Sequence, residues 1–147
     1  LQSCLDFIDL ERDNFIDFNR IGWTKEEIIS QFNKEINYSL GIFEKNFLIS
    51  FIIGNLISIE KASEYEILII YVKKSKRRKG LATKLLNKLT QQKAYLNLKK
   101  IYLEVSQNNN KAILFYERNN FNLINIRHKY YTVGNKKFDA FCYMRIL

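Results

Sequence analysis

The run Lys76-Arg77-Arg78-Lys79-Gly80-Leu81-Ala82-Thr83 lies between an apolar segment, Ile67 to Val72, and a leucine-spaced one, and its residue types suit anion binding. A helix N-terminus offers unpaired backbone N–H groups and the positive end of a dipole, and a glycine there lets a phosphate approach the main chain. Gly80 and Ala82 keep such a turn unobstructed. The pattern Arg-x-x-Gly-x-Ala, from Arg77 to Ala82, lacks the Gly-Lys-Ser/Thr ending of a triphosphate loop and the three glycines of a dinucleotide fold. Its duller alternative is a basic turn capping an ordinary helix.

The elements around this loop can be read from periodicity. Phe7, Leu10, Asn14 and Phe15 fall at mixed helical spacing over Asp6 to Phe18. Thr24 with Glu27 three residues on predicts a capping box, and Ile28, Ile29 and Phe32 the buried face of the helix it starts. Tyr38 to Phe43, Phe47 to Ile59 and Glu66 to Val72 carry strand signals, with Glu44-Lys45-Asn46 as a turn, and predict an antiparallel meander. Leu81, Leu85 and Leu89, with Ala82 and Leu86 alongside, give a helix with one buried stripe. Ile101 to Val105 is a strand and Asn109 to Arg118 a helix; Asn122 to Tyr131 and Lys137 to Ile146 are strands about Val133-Gly134-Asn135. A strand, a helix and a next strand in one sheet imply a right-handed crossover with helices on the faces. The class is α/β, or α+β by another convention, with a mixed, twisted sheet and helices on both faces.

At 147 residues and 47% hydrophobic content, the chain is expected to form a single domain over 1–147 with a real core. The formal charge is +9, and six of the seven residues from Lys73 to Lys79 are basic. Such a field favours anionic partners, either a polyphosphorylated cofactor or an RNA-rich target, or it reflects lysines filling solvent-facing positions. Cys4 and Cys142 lie at opposite ends with neither zinc nor disulfide spacing, so reduced thiols and no metal are expected, and Cys142 reads as a small core residue. The apolar stretch Phe47 to Ile59 is shorter than the roughly 20 residues of a membrane helix and reads as a buried strand. No secretory pattern opens the chain, which predicts a cytoplasmic location and no membrane partner, and Leu1 in place of methionine points to a trimmed or incomplete start.

Downstream of the loop stand Leu103-Glu104-Val105, then Asn109, then Ala112-Ile113-Leu114-Phe115-Tyr116-Glu117, then Asn120-Phe121. Taken with the glycine loop, this arrangement resembles motifs A and B of the GNAT acetyltransferase superfamily. Ile126-Arg127-His128-Lys129-Tyr130-Tyr131 and Asp139-Ala140 look like the C-terminal region of bacterial ribosomal-protein alanine N-acetyltransferases, and the Trp23-Thr24 helix start also fits. Three positions depart from what is usual in such proteins: Ala82 for a frequent glycine, Tyr71 for a smaller residue, and Thr132 where the ribosomal type often has proline.

The resemblance implies a site. Acetyl-CoA would lie along Ile70, Tyr71 and Val72, with its pyrophosphate on the amides of Arg78, Lys79, Gly80, Leu81, Ala82 and Thr83, and Asn109 would contact it further on. Glu104 would be the general base and Tyr116 the general acid, with a backbone N–H of Tyr71 or Val72 polarising the thioester carbonyl. An N-terminal amine has a reference pKa of about 7.7 to 8.0 against roughly 10.4 for lysine, so a carboxylate can free it near neutrality. The leaving thiolate, with a reference pKa near 8.5, can take a proton from a phenol. Tyr130 and Tyr131 would line the acceptor groove. Without the resemblance, Glu104 reads as a solvent-facing strand residue, Tyr116 as a packed ring and His128 as an exposed position; Trp23 is core or groove wall.

The leading expectation is acetyl transfer to a protein N-terminus, the N-terminal alanine of a small-subunit ribosomal protein, by a monomer that needs no direct contact with nucleic acid. A small-amine acetyltransferase acting on a polyamine or aminoglycoside would call for an acidic pocket, whereas Arg127, Lys129, Lys136 and Lys137 are basic. A non-catalytic ribosome- or RNA-binding protein would bind RNA in a salt-dependent way.

Overall fold

A computed structural model describes residues 1–9 and 22–147. Helix α1 spans Gln2–Asp9 and α2 Lys25–Phe32. Three strands follow, β1 Leu40–Glu44, β2 Phe47–Ile59 and β3 Ala62–Val72, then a 3-10 turn over Lys74–Lys76. Helix α3 is Leu81–Gln91, β4 Leu98–Ser106, α4 Asn110–Arg118, β5 Asn122–Val133 and β6 Lys136–Ile146. The strands form one mixed sheet in the order β1-β2-β3-β4-β6-β5. The β3–β4 pair is parallel, with α3 as its crossover, and β1–β2, β4–β6 and β5–β6 are antiparallel.

The predicted order of elements holds, with departures at particular residues. The first helix starts at Gln2 rather than Asp6; Leu10, Asn14 and Phe15 lie outside the described residues. On α2 the buried face is Ile28 and Gln31, while Ile29 is 39% exposed. Gln31 is inside because its Nε2 donates to Asn55 Oδ1 at 2.6 Å, so two amides satisfy each other where the apolar pattern asked for isoleucine. The capping box forms as expected: Thr24 N donates to Glu27 Oε2 at 2.7 Å and Glu27 N to Thr24 Oγ1 at 3.2 Å. Strand β3 begins four residues earlier than the predicted Glu66, at Ala62, because Ser63 N–H bonds Asn97 O at 2.9 Å and draws the preceding turn into the ladder.

Two compact units divide the chain, Leu1–Asn55 with Ile69–Leu89, and Leu56–Leu68 with Thr90–Leu147. In the first, Phe7 meets Phe51 and Tyr71 edge-on at 5.4 and 5.6 Å, and Ile52, Ile53, Leu85, Leu86 and Leu89 are fully buried. Tyr71 is bulky because it completes this aromatic group. In the second, Tyr65, Ile67, Leu98, Ile101, Leu103, Tyr116, Phe121, Ala140 and Tyr143 form the core. Tyr116 packs edge-on against Phe115 and Phe121 at 5.2 and 5.4 Å.

Candidate active site

In the first unit the basic run is shaped by its own side chains. Arg77 Nε donates to Val72 O and its Nη2 to Tyr71 Oη, both at 3.1 Å, with the guanidinium 5.3 Å over the Tyr71 ring. Lys76 pairs with Glu44. These contacts tie the end of β3 to the loop, and Arg78, Lys79 and Gly80 follow as exposed residues. Arg78 and Gly80 take positive φ, 63° and 73°, which turns the chain into α3. The first intrahelical bond runs from Lys84 N to Gly80 O at 2.9 Å, so the amides of Leu81, Ala82 and Thr83 precede it and face outward from the first turn. A Cβ at Gly80 would meet nothing within 4 Å. Open space, uncommitted first-turn amides and two exposed cations fit a pyrophosphate.

The end of β3 is equally fixed. Its ladder with β4 stops at Ile67↔Leu103, and the strand runs on to Val72. The buried Ser50 Oγ donates to Tyr71 O at 2.9 Å, and Lys73 N to Ile49 O at 2.9 Å. Because a trans peptide points its C=O and N–H in opposite directions, the bond from Ser50 aims the Val72 N–H away from β2. Of the two amides considered as polarisers, that of Val72 is the one so aimed. Ser50 had no signal in the sequence beyond being a hydroxyl inside an apolar strand.

The second unit gathers Glu104, Tyr116, Tyr130 and Tyr131. Glu104 sits on β4 with alternate residues Leu103 and Val105 buried, and its side chain is 26% exposed. Its Oε1 accepts from Arg127 Nη1 at 2.9 Å and from Cys142 Sγ–H at 4.0 Å. Cys142 is therefore not a core residue: register Glu104↔Cys142 sets its half-buried thiol beside the carboxylate, and burial and Glu104 together raise its pKa. Tyr131 is pushed up to about 12 by burial first, then by Glu104. Burial pushes the Tyr116 phenol well above its ordinary value, with Tyr131 adding to the shift. Tyr130 is half exposed and meets Tyr131 edge-on at 5.2 Å. His128 is exposed, as expected, with Nδ1 3.0 Å from Asp139 Oδ2. Asn109 caps α4, its Oδ1 accepting from Ala112 N at 3.2 Å. Trp23 is half-buried. Among the described residues no cluster of His, Cys, Asp and Glu could hold a metal ion. No described helix is long and apolar enough to cross a membrane.

Residues 5–121 match the acetyltransferase (GNAT) family. The chain belongs to that family. A curated N-alpha-acetyltransferase of Saccharolobus solfataricus is 36% identical over 95 residues, which cover 64% of this chain and 48% of that protein. The chain thus spans about half the length of the relative it matches. Among solved structures, the fold is similar to the ribosomal-protein-S18-alanine N-acetyltransferase from Escherichia coli, with a TM-score of 0.73 and 24% identity over 84% of this chain and 77% of that one. It is also similar to Arabidopsis thaliana NAA60 in complex with acetyl-CoA, with a TM-score of 0.76 and 21% identity over 97% and 93% of the two chains. Both likenesses are of fold.

Proposed function

We propose that this GNAT chain moves the acetyl group of acetyl-CoA to the α-amino group of a protein N-terminus, with 1–147 acting as one domain. The observation that carries the reading is the grouping of a half-buried carboxylate, Glu104, with two phenols whose pKa values are raised, Tyr116 and Tyr131. Acetyl-CoA, when bound, supplies a thioester carbon open to attack by an amine.

The chain's own groups divide the remaining work. The amides of Leu81, Ala82 and Thr83, with Gly80, Arg78 and Lys79, hold the pyrophosphate, while Ile70, Tyr71 and Val72 align the pantetheine arm. Asn109, through its own side chain or the first turn of the helix it caps, contacts the cofactor further on. The Val72 N–H, aimed by Ser50, is preorganised to stabilise charge on the carbonyl oxygen. Glu104 takes the proton of the amine, directly or through water. Tyr116 stays protonated across the working pH range because its pKa is raised, and gives its proton to the leaving thiolate. Tyr130 and Tyr131 shape the acceptor groove.

As acceptor we propose the N-terminal alanine of a small-subunit ribosomal protein, met in the cytoplasm by a monomer. The support is the resemblance of Ile126 to Tyr131 and Asp139-Ala140 to such enzymes. The basic residues Arg127, Lys129, Lys136 and Lys137 on the final hairpin oppose a polycationic small amine. The test is mass-spectrometric detection of acetyl transfer to two peptides, one with a free N-terminal alanine and one blocked there but carrying a lysine. Acetylation confined to the free N-terminus is expected. Transfer to lysine alone, or to neither, refutes the reading.

A further inference from the structure

Arg127 grips the candidate base in a way that is easily exchanged. Its Nη1 lies 2.9 Å from Glu104 Oε1, with the Arg127 side chain 51% exposed. A pair so open to water contributes little and can be traded for another carboxylate at small cost. The guanidinium also rests 5.2 Å over the Tyr130 ring, which keeps it in place while its partner changes. A bulge between Arg127 and Tyr131, where Lys129 takes φ 55°, re-aims the side chains on either side. Asp139 pins that bulge: its Oδ1 accepts from Lys129 N at 2.8 Å, and its Oδ2 faces His128 Nδ1 at 3.0 Å. The hairpin's own acid is therefore committed and does not compete for Arg127.

A base that receives an ammonium group cannot comfortably keep a guanidinium on the same carboxylate, because the two cations repel. A carboxylate on the acceptor, close to its amine, removes the conflict, since the planar fork of arginine accepts it in place of Glu104. We propose that Arg127 selects acceptor chains that carry an acidic side chain directly after the reacting N-terminal residue, exchanging Glu104 for that carboxylate. The inference rests on the N-terminal reading above and adds the class of peptide. A lysine at the same place would meet Arg127 and Lys129 on one hairpin and is disfavoured.

The test uses peptides with a free N-terminal alanine that differ only in the second residue, Asp, Ser or Lys. Both kcat/KM with acetyl-CoA and peptide affinity in the presence of CoA are measured for wild type, Arg127→Gln and Arg127→Glu. In wild type the Asp peptide is expected to exceed the Ser peptide by about tenfold, the scale of one hydrogen bond to a charged group, with Lys below Ser. The ratio of Asp to Ser falls to near one in Arg127→Gln, and Lys overtakes Asp in Arg127→Glu. Taking the ratio within each variant cancels any general loss of fold or rate. An unchanged ratio in Arg127→Gln overturns the inference. If wild type acetylates none of the peptides, the N-terminal reading fails and affinity decides on Arg127. A roughly tenfold drop for the Asp peptide in Arg127→Gln then upholds its role, and equal affinities overturn it.

Discussion

Replacing Gly80 by alanine separates the strain of the loop from its proposed use. At φ 73° an L-residue is expected to cost about 1–2 kcal/mol. Reduced freedom of the unfolded chain returns about 0.4–1 kcal/mol. No contact adds to this, because a Cβ would have no neighbour within 4 Å. The net is about 0.5–1.5 kcal/mol, or a fall in Tm of roughly 2–5 °C for a chain of this size. Arg78→Gly runs the same account backwards: it relieves a left-handed residue at φ 63° and should be neutral or stabilising. If the loop cradles a pyrophosphate, the Cβ added by Gly80→Ala also stands where the phosphate approaches and weakens acetyl-CoA by about tenfold or more, the scale of one hydrogen bond to a charged group lost as the phosphate is held off the amides. Thermal melts and cofactor titration by calorimetry read the two effects apart. A lower Tm with unchanged cofactor affinity would refute the cradle, and equal losses of stability in both variants would refute the strain argument.

Four further outcomes follow from the same geometry. Tyr116→Phe should lower kcat by about a hundredfold while leaving acetyl-CoA affinity intact, measured by thiol release and titration. Because the folded Tyr116 pKa is raised above its unfolded value, its contribution to stability is complete below about pH 10 and is lost as the pH rises further, by about 1.4 kcal/mol per unit; Tyr116→Phe should flatten that alkaline limb in chemical denaturation. Ser50→Ala removes the hydroxyl bond to the Tyr71 carbonyl, so a loss of about 0.5–1.5 kcal/mol is expected together with a lower kcat, whereas Thr24→Ala should cost about 1 kcal/mol with kcat unchanged.

Much of the fold was legible because its signals are local. The capping box of Thr24 and Glu27, the leucine stripe of α3 and the glycine at φ 73° each follow from a few neighbouring residues. The lapses concern residues decided by distant partners. Ile29 looked buried until the Gln31–Asn55 pair took its place, and Cys142 looked like core until the order β4-β6-β5 set it across from Glu104. That order had a trace in the sequence: β6 is apolar on both faces from Ala140 to Met144, as an interior strand requires, whereas β5 carries Asn122, Asn125, Arg127, His128 and Lys129 along an edge. The candidate base was readable only through the resemblance, since a glutamate alternating with Leu103 and Val105 is otherwise an ordinary surface residue. The bond of Ser50 to Tyr71 O and the pairing of Arg127 with Glu104 were not readable, because each is a side-chain contact between two strands that no local pattern marks.

The central claim is that Glu104 activates an N-terminal amine, and the most direct measurement is the rate of acetyl transfer to a free N-terminal alanine peptide at neutral pH by Glu104→Gln against wild type. A fall of about 10²- to 10⁴-fold is predicted, with Tm nearly unchanged because the half-exposed pair with Arg127 contributes only about 0–1 kcal/mol. A variant that acetylates the peptide at the wild-type rate would contradict the account.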